Sequence, residues 1–300
     1  MARCLAFVLG AGGARGALQV GALRALIEAG VKPDLLVGTS VGAINAVGLG
    51  LWGVDLAGIE ALERVFQEMG EANLMDSRLA RVTLRALSGR PNLYGSRRIR
   101  EYFVSKGISP TLRFDQIADV RLGLVSADLD SGQPVIYGQE PRQRVLDGLM
   151  ASIAVPPWFA PTQKDGHLIV DGGALSNLPV EPALSLGATS IIALDLRDPR
   201  PLPGTEHALI RLVGKLSFAL SRRHASLETA LAEAKGVPVR TIELRSPHVL
   251  PIWDFSKSRE LFEIGHRLAT RTISKWRGRP WAEPARGARH ANHRSPGASR

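Results

Sequence analysis

Short continuous apolar runs alternate with longer stretches of helical spacing along this chain. Residues 4–9 form an apolar run of strand length, and 17–29 place Leu18, Leu23, Leu26 and Ile27 at helical spacing before Gly30 and Pro33 close the segment. Residues 35–37 read as a second buried strand and 43–51 as a helix of small residues. A further helix is predicted over 55–69, with Leu56, Ile59, Leu62, Val65, Phe66 and Met69 on one side and Gly70 as its stop. Another is predicted over 96–106, closed by Gly107. Strand character returns at 120–127, 134–137, 167–171, 190–194 and 239–244. Residues 206–234 carry Leu209, Leu212, Val213, Leu216 and Leu220 at helical spacing, with Arg211, Lys215, Arg222 and Arg223 mainly elsewhere. Strands alternating with helices predict an α/β fold with a mostly parallel or mixed sheet.

Two of the strand-to-helix junctions carry candidate chemistry. The first is Gly10-Ala11-Gly12-Gly13-Ala14-Arg15-Gly16, where a glycine loop opens onto a helix N-terminus and turns several backbone N–H groups toward any negative charge in front of it. A dinucleotide fingerprint wants a third glycine where Arg15 stands, and a P-loop wants a lysine followed by Ser or Thr near Gly16, which is missing. The loop then reads either as an oxyanion hole, with N–H groups around Gly12 and Gly13, or as a tight turn only. The second junction is Gly38-Thr39-Ser40-Val41-Gly42. It reads as a nucleophile elbow, in which flanking glycines let the backbone turn sharply under an exposed serine; alone, the pattern also fits an ordinary strand-helix turn.

Far downstream, His167-Leu168-Ile169-Val170 delivers Asp171 into a Gly172-Gly173 turn, after an apolar loop at 151–161 and before Asn177-Leu178-Pro179-Val180. With these three motifs in this order the chain resembles bacterial patatin-like phospholipases, which join a G-G-G-x-[RK]-G oxyanion loop, a G-x-S-x-G nucleophile and a distant D-G-[GA]. Ala11 replaces one glycine of that loop. The likeness continues through Ala127-Asp128-Leu129 with Gly132, the 151–161 loop, 190–195 and Asp254-Phe255-Ser256, covering about residues 5–270. The resemblance implies a three-layer α/β/α sandwich and a Ser40–Asp171 dyad without histidine. It also implies an oxyanion hole from the Gly10 to Gly16 loop, and a fatty-acyl ester or phospholipid substrate. Two other readings remain open: an ordinary hydrolase triad completed by His248, and a noncatalytic phosphate- or nucleotide-binding module.

Composition narrows the setting. Three hundred residues, 45% hydrophobic and 22% charged, suit one α/β domain, expected over 1–276. The single Cys4 falls in a strand and reads as core. Seven histidines and one cysteine form no ligand cluster, so neither metal nor cofactor is expected. Met1-Ala2-Arg3 runs at once into a strand and glycine loop, a poor signal peptide, and no apolar run reaches spanning length, so the chain reads as cytoplasmic. About half of the net charge of +10 lies in 277–300, where Arg277, Arg279, Arg286, Arg289, Arg294 and Arg300 meet one acid, Glu283. That segment reads as a disordered basic tail, solubilising or weakly drawn to anionic membrane. No nucleic-acid module accompanies it.

Overall fold

In a computed structural model, which describes residues 3–72, 93–156, 158–198, 200 and 208–276, the apolar runs assemble into one mixed sheet. Its strands are β1 Leu5–Leu9, β2 Leu35–Thr39, β3 Arg121–Asp128, β4 Gln133–Tyr137, β5 Thr162–Lys164, β6 His167–Asp171, β7 Ser190–Asp195 and β8 Val239–Glu243. They lie in the order β5-β6-β3-β2-β1-β7-β8, with β4 also on β3. The run from β3 through β2, β1 and β7 to β8 is parallel; β4 and β6 join β3 antiparallel, and β5 joins β6 antiparallel.

Both faces are covered, which is why β1 reads as a continuous apolar run rather than an alternating one. Successive side chains of a strand point to opposite faces. Leu5, Phe7 and Leu9 therefore enter the larger core, under the helices Gly16–Glu28, Val41–Trp52, Leu56–Ala72, Leu93–Ser105 and Ser258–Ser274. Ala6 and Val8 enter a second core of smaller side chains, under Val180–Ser185 and Ala208–Ala234. The result is a three-layer α/β/α sandwich. Phe7 is wholly buried, and truncating such a side chain to alanine costs about 3–5 kcal/mol. Cys4 is buried, as its strand position implies.

Several elements depart from the sequence expectations. The Leu56–Ala72 helix continues through Gly70 instead of stopping there, because buried Phe66 and Met69 in the turn before it, with Phe255 packed over Gly70, outweigh the roughly 1 kcal/mol cost of an internal glycine. The helix Val145–Ser152 takes Ala151 and Ser152 out of the expected loop. The helix Ser258–Ser274 is absent from the predicted elements; Gly265 interrupts its apolar spacing. That glycine is where it crosses the Gly16–Glu28 helix. A Cβ on Gly265 would lie 2.0 Å from the Leu18 carbonyl oxygen, and one on Gly21 1.9 Å from that of Phe262. The 277–300 tail and residues 206–207 of the expected long helix lie outside the described residues.

Candidate active site

Because β1, β2 and β7 are parallel, their C-terminal ends share one edge of the sheet, where α/β proteins place ligands. Leu9 pairs with Gly38, so the chain leaves β1 at Gly10 beside the point where it leaves β2 at Ser40. Ser40 sits at φ 56°, ψ −123°, a conformation that costs on the order of 1–3 kcal/mol and persists only where surroundings enforce it. The enforcement is visible. A Cβ on Gly38 would lie 2.3 Å from the Gly42 oxygen, and one on Gly42 2.1 Å from the Leu9 oxygen, so the turn closes only on glycines. The Ser40 N–H donates to Ser152 Oγ at 3.0 Å, and Ser152 donates to the Val125 carbonyl at 2.6 Å.

Asp171 reaches Ser40 through a third strand. On the edge of β3 opposite β4, Thr39 at the end of β2 faces Val125, and Asp171 at the end of antiparallel β6 faces Ser126. The two strand ends thus meet nose to nose. Asp171 Oδ1 accepts from the Gly173 N–H at 2.7 Å, and the Asp171 N–H donates to the Ala154 carbonyl at 2.9 Å. Burial pushes the carboxyl up to about 6, against the opposing pull of the Ser40 hydroxyl and the Gly173 N–H. Oδ2 is buried with no well-aligned donor. The Ser40 contact is therefore close but imperfectly directed, as catalytic hydrogen bonds often are before a ligand tightens them.

In the glycine loop the N–H groups of Gly10, Ala11 and Ala14 donate to the carbonyls of Leu194, Asn177 and Ile252. Gly12 and Gly13 are not engaged by these bonds and line the cavity with Ser40 and Asp171. Arg15 folds back, its Nε donating to the Gly12 carbonyl at 3.2 Å, and burial lowers its pKa. It pins the loop while facing the cavity. Gly16 meets Val41 of the elbow helix. Beneath them lies a buried amide pair that the sequence reading missed. Gln19 Nε2 donates to the Gly10 and Leu194 carbonyls at 2.9 and 3.1 Å, while Asn45 Nδ2 donates to the Gly16 carbonyl and to Gln19 Oε1. One signal was available: Gln19 and Asn45 are polar residues at otherwise apolar helical positions.

The cavity measures about 300 Å³. Ser40, Asp171 and the glycines occupy one part of its wall; Ile44, Met69, Ile99, Ile153, Phe159 and Phe255 make much of the rest apolar. Met69 and Ile99 come from the helices Leu56–Ala72 and Leu93–Ser105, which lie between β2 and β3. His248 lies elsewhere: its Nε2 is 2.9 Å from Glu260 Oε1 and it does not line this cavity. The geometry thus leaves the triad alternative without its histidine. Among the described residues Asp128, Asp130 and His167 bring potential metal-ligand atoms within 4.8 Å of one another. Three of their four carboxylate oxygens take local bonds: Asp128 binds Ser131, His167 and the Asp130 N–H, and Asp130 Oδ2 takes the Leu168 N–H. The group clips a turn.

Comparison with known proteins identifies the family. The chain is 32% identical over 199 residues to patatin-like phospholipase domain-containing protein 7 of Rattus norvegicus, covering 64% of this chain and 13% of that protein. It is 31% identical over 195 residues to an uncharacterized NTE family protein of Mycobacterium tuberculosis, covering 65% of this chain and 30% of that one. The chain therefore spans well under half the length of these curated relatives. Among solved structures, VipD from Legionella pneumophila overlaps 91% of this chain and 67% of its own at 14% identity and a TM-score of 0.41, too distant to bear on function. The family model described as patatin-like phospholipase matches residues 7–184, more than half of the chain, and by that match the chain belongs to the patatin-like phospholipase family.

Proposed function

We propose that the chain is a lipid acyl hydrolase that cleaves fatty-acyl esters, phospholipids or lysophospholipids among them, with Ser40 as nucleophile and Asp171 as base. The observation that carries this reading is the pairing of a strained, half-buried turn serine, Ser40, with a buried carboxylate, Asp171, both in the wall of one largely apolar cavity. Ser40 Oγ attacks the ester carbonyl as its proton passes to Asp171, and the charge forming on the carbonyl oxygen is held by the Gly12 and Gly13 amides. Asp171 returns the proton to the leaving alcohol. Water then gives a proton to Asp171 and attacks the acyl-serine, and Ser40 regains its hydrogen as the fatty acid departs. An ordinary aspartate, near pKa ~3.9, is a feeble base; burial that lifts Asp171 to about 6 makes it a better one.

A phosphate- or nucleotide-binding module is the poorer account, because a buried carboxylate beside Ser40 repels a bound phosphate. Product analysis on a panel of phospholipids, lysophospholipids and simple esters, run beside Ser40→Ala, tests the proposal. Acyl release by the parent and its loss in the variant are expected, with fluorophosphonate labelling confined to Ser40. Unlabelled Ser40, or equal release by the variant, overturns it.

A further inference from the structure

The helix Ala208–Ala234 faces in two directions. Toward the body it buries Ala225 and Ala232 and supplies Phe218 and Ser221 to the cavity wall. Away from the body it exposes Leu212, Leu216, Leu220, Leu227 and Leu231, the first at 63% of its surface and the last at 38%. With 3.6 residues per turn these five fall within an arc of roughly 100° and extend ~28 Å along the helix. They are five of the nine large hydrophobic side chains exposed among the described residues. Single exposed leucines are ordinary, but five of them along one arc of a helix, interrupted there only by the cation Arg223, mark a contact surface.

The charges nearby indicate what makes that contact. Exposed Lys215 and Arg222 flank the leucines on one side and exposed Arg223 lies within their arc, and no acidic residue occurs from Leu212 to Leu227. A second copy docking stripe to stripe would bring these like charges together. An anionic lipid surface would neutralise them, each worth about 1 kcal/mol at such a surface. No described helix is long and apolar enough to cross a membrane, so the fitting mode is a helix lying in the interface. The cavity opens beside it: Ser217 lines the cavity yet is exposed, next to Leu216, and Ser221 adjoins Leu220. Trp158 and Trp253, half-buried with ring centroids 5.4 Å apart, are chain neighbours of the lining residues Phe159 and Ile252. Paired, half-buried indoles suit the boundary between water and lipid.

We infer that the leucine stripe of the Ala208–Ala234 helix docks the protein on an anionic bilayer with the mouth of the Ser40 cavity turned to the lipid, so that substrate enters past Ser217 and Phe218 without crossing water. The entry route rests on the acyl-hydrolase reading; the docking surface does not.

The test measures binding apart from turnover. The full chain carrying Ser40→Ala is sedimented with vesicles of phosphatidylglycerol or of phosphatidylcholine, alone and with Leu212→Gln, Leu216→Gln and Leu220→Gln combined. A third protein carries Lys215→Gln, Arg222→Gln and Arg223→Gln. Circular dichroism reports folding. Binding to phosphatidylglycerol is expected, at least tenfold weaker after the leucine changes. Removing the three cations should weaken it on the order of a hundredfold on anionic vesicles alone. Equal binding by the leucine variant overturns the proposal and assigns any affinity to another segment, the basic tail included. So does a parent that binds no vesicle, or one that is a dimer and becomes monomeric on the leucine changes. If the wild-type chain hydrolyses no ester while vesicle binding depends on the stripe, the docking stands and the hydrolase reading falls.

Discussion

Glu228, in the long helix beside the cavity, accepts a hydrogen bond from Ser176 Oγ at 2.8 Å. Through that contact the helix is tied to the ends of both strands that carry Ser40 and Asp171. The Ser176 carbonyl accepts from the Thr39 hydroxyl at 2.9 Å, one residue before Ser40, while the Ser176 N–H donates back to Gly172 in the turn that follows Asp171. The second Glu228 oxygen takes the Glu181 N–H at 2.9 Å.

Burial raises Glu228 to about 7, against the bonds from Glu181 and Ser176. A carboxyl whose pKa is raised on folding contributes stability below its unfolded value, and that contribution is lost as pH rises through the folded value. Between pH 5 and 8 the wild type should therefore lose stability, on the order of 3 kcal/mol from this group. Glu228→Gln should flatten the decline. Thermal melts at several pH values read this directly; identical slopes for the two proteins would contradict it.

Asp171→Asn should lower turnover about as severely as Ser40→Ala, because an amide takes no proton from serine. Wild-type kcat/KM should rise with pH through about 6 as the carboxyl ionises. The same sign argument makes folded Asp171→Asn more stable than wild type above that pH, since it removes a buried charge. His248→Ala, altering a half-exposed residue paired with Glu260, should retain most activity. A folded but inactive His248→Ala beside an active Asp171→Asn would restore the triad.

Gly12→Ala should act on rate more than on folding. Its Cβ would fall 2.8 Å from Leu196 Cδ1 and 2.9 Å from Leu196 Cβ, so the loop must shift and carry its N–H groups away from the carbonyl oxygen. A kcat loss of about 10²-fold or more, the scale of a removed oxyanion donor, is expected with only a modest fall in melting temperature as Leu196 gives way. Normal turnover in the folded variant would rule this loop out as the oxyanion hole.

Ser152→Ala should destabilise the elbow from below. It leaves the Ser40 N–H and the Val125 carbonyl without the hydroxyl that joins them, and an unmet buried polar group costs about 1–3 kcal/mol. Both the melting temperature and kcat should fall, with KM little changed. A drop in stability alone would limit Ser152 to support of the fold.

The residues and structure divide unevenly between what is local and what is distant. Gly38, Ser40 and Gly42 are readable as a candidate elbow because a turn's backbone demands are written within five neighbouring residues. The same holds for the Gly10 to Gly16 loop, and for Leu5–Leu9, whose unbroken apolar run announces a strand covered on both faces. Only the assembled sheet decided which face takes Phe7 and which takes Val8, since either assignment satisfies the run. Gln19 and Asn45 show in sequence only as polar breaks in apolar helices, and Ser152 and Glu228 not at all, because a buried polar side chain takes its meaning from carbonyls and amides supplied by other segments. The meeting of Ser40 and Asp171 is of this kind as well: it depends on β2 and β6 sharing one edge of β3, one residue apart in register. Register is set by the burial of whole strands against their neighbours and not by any single residue, so spacing along the chain could nominate the pair but only the tertiary structure could bring it together.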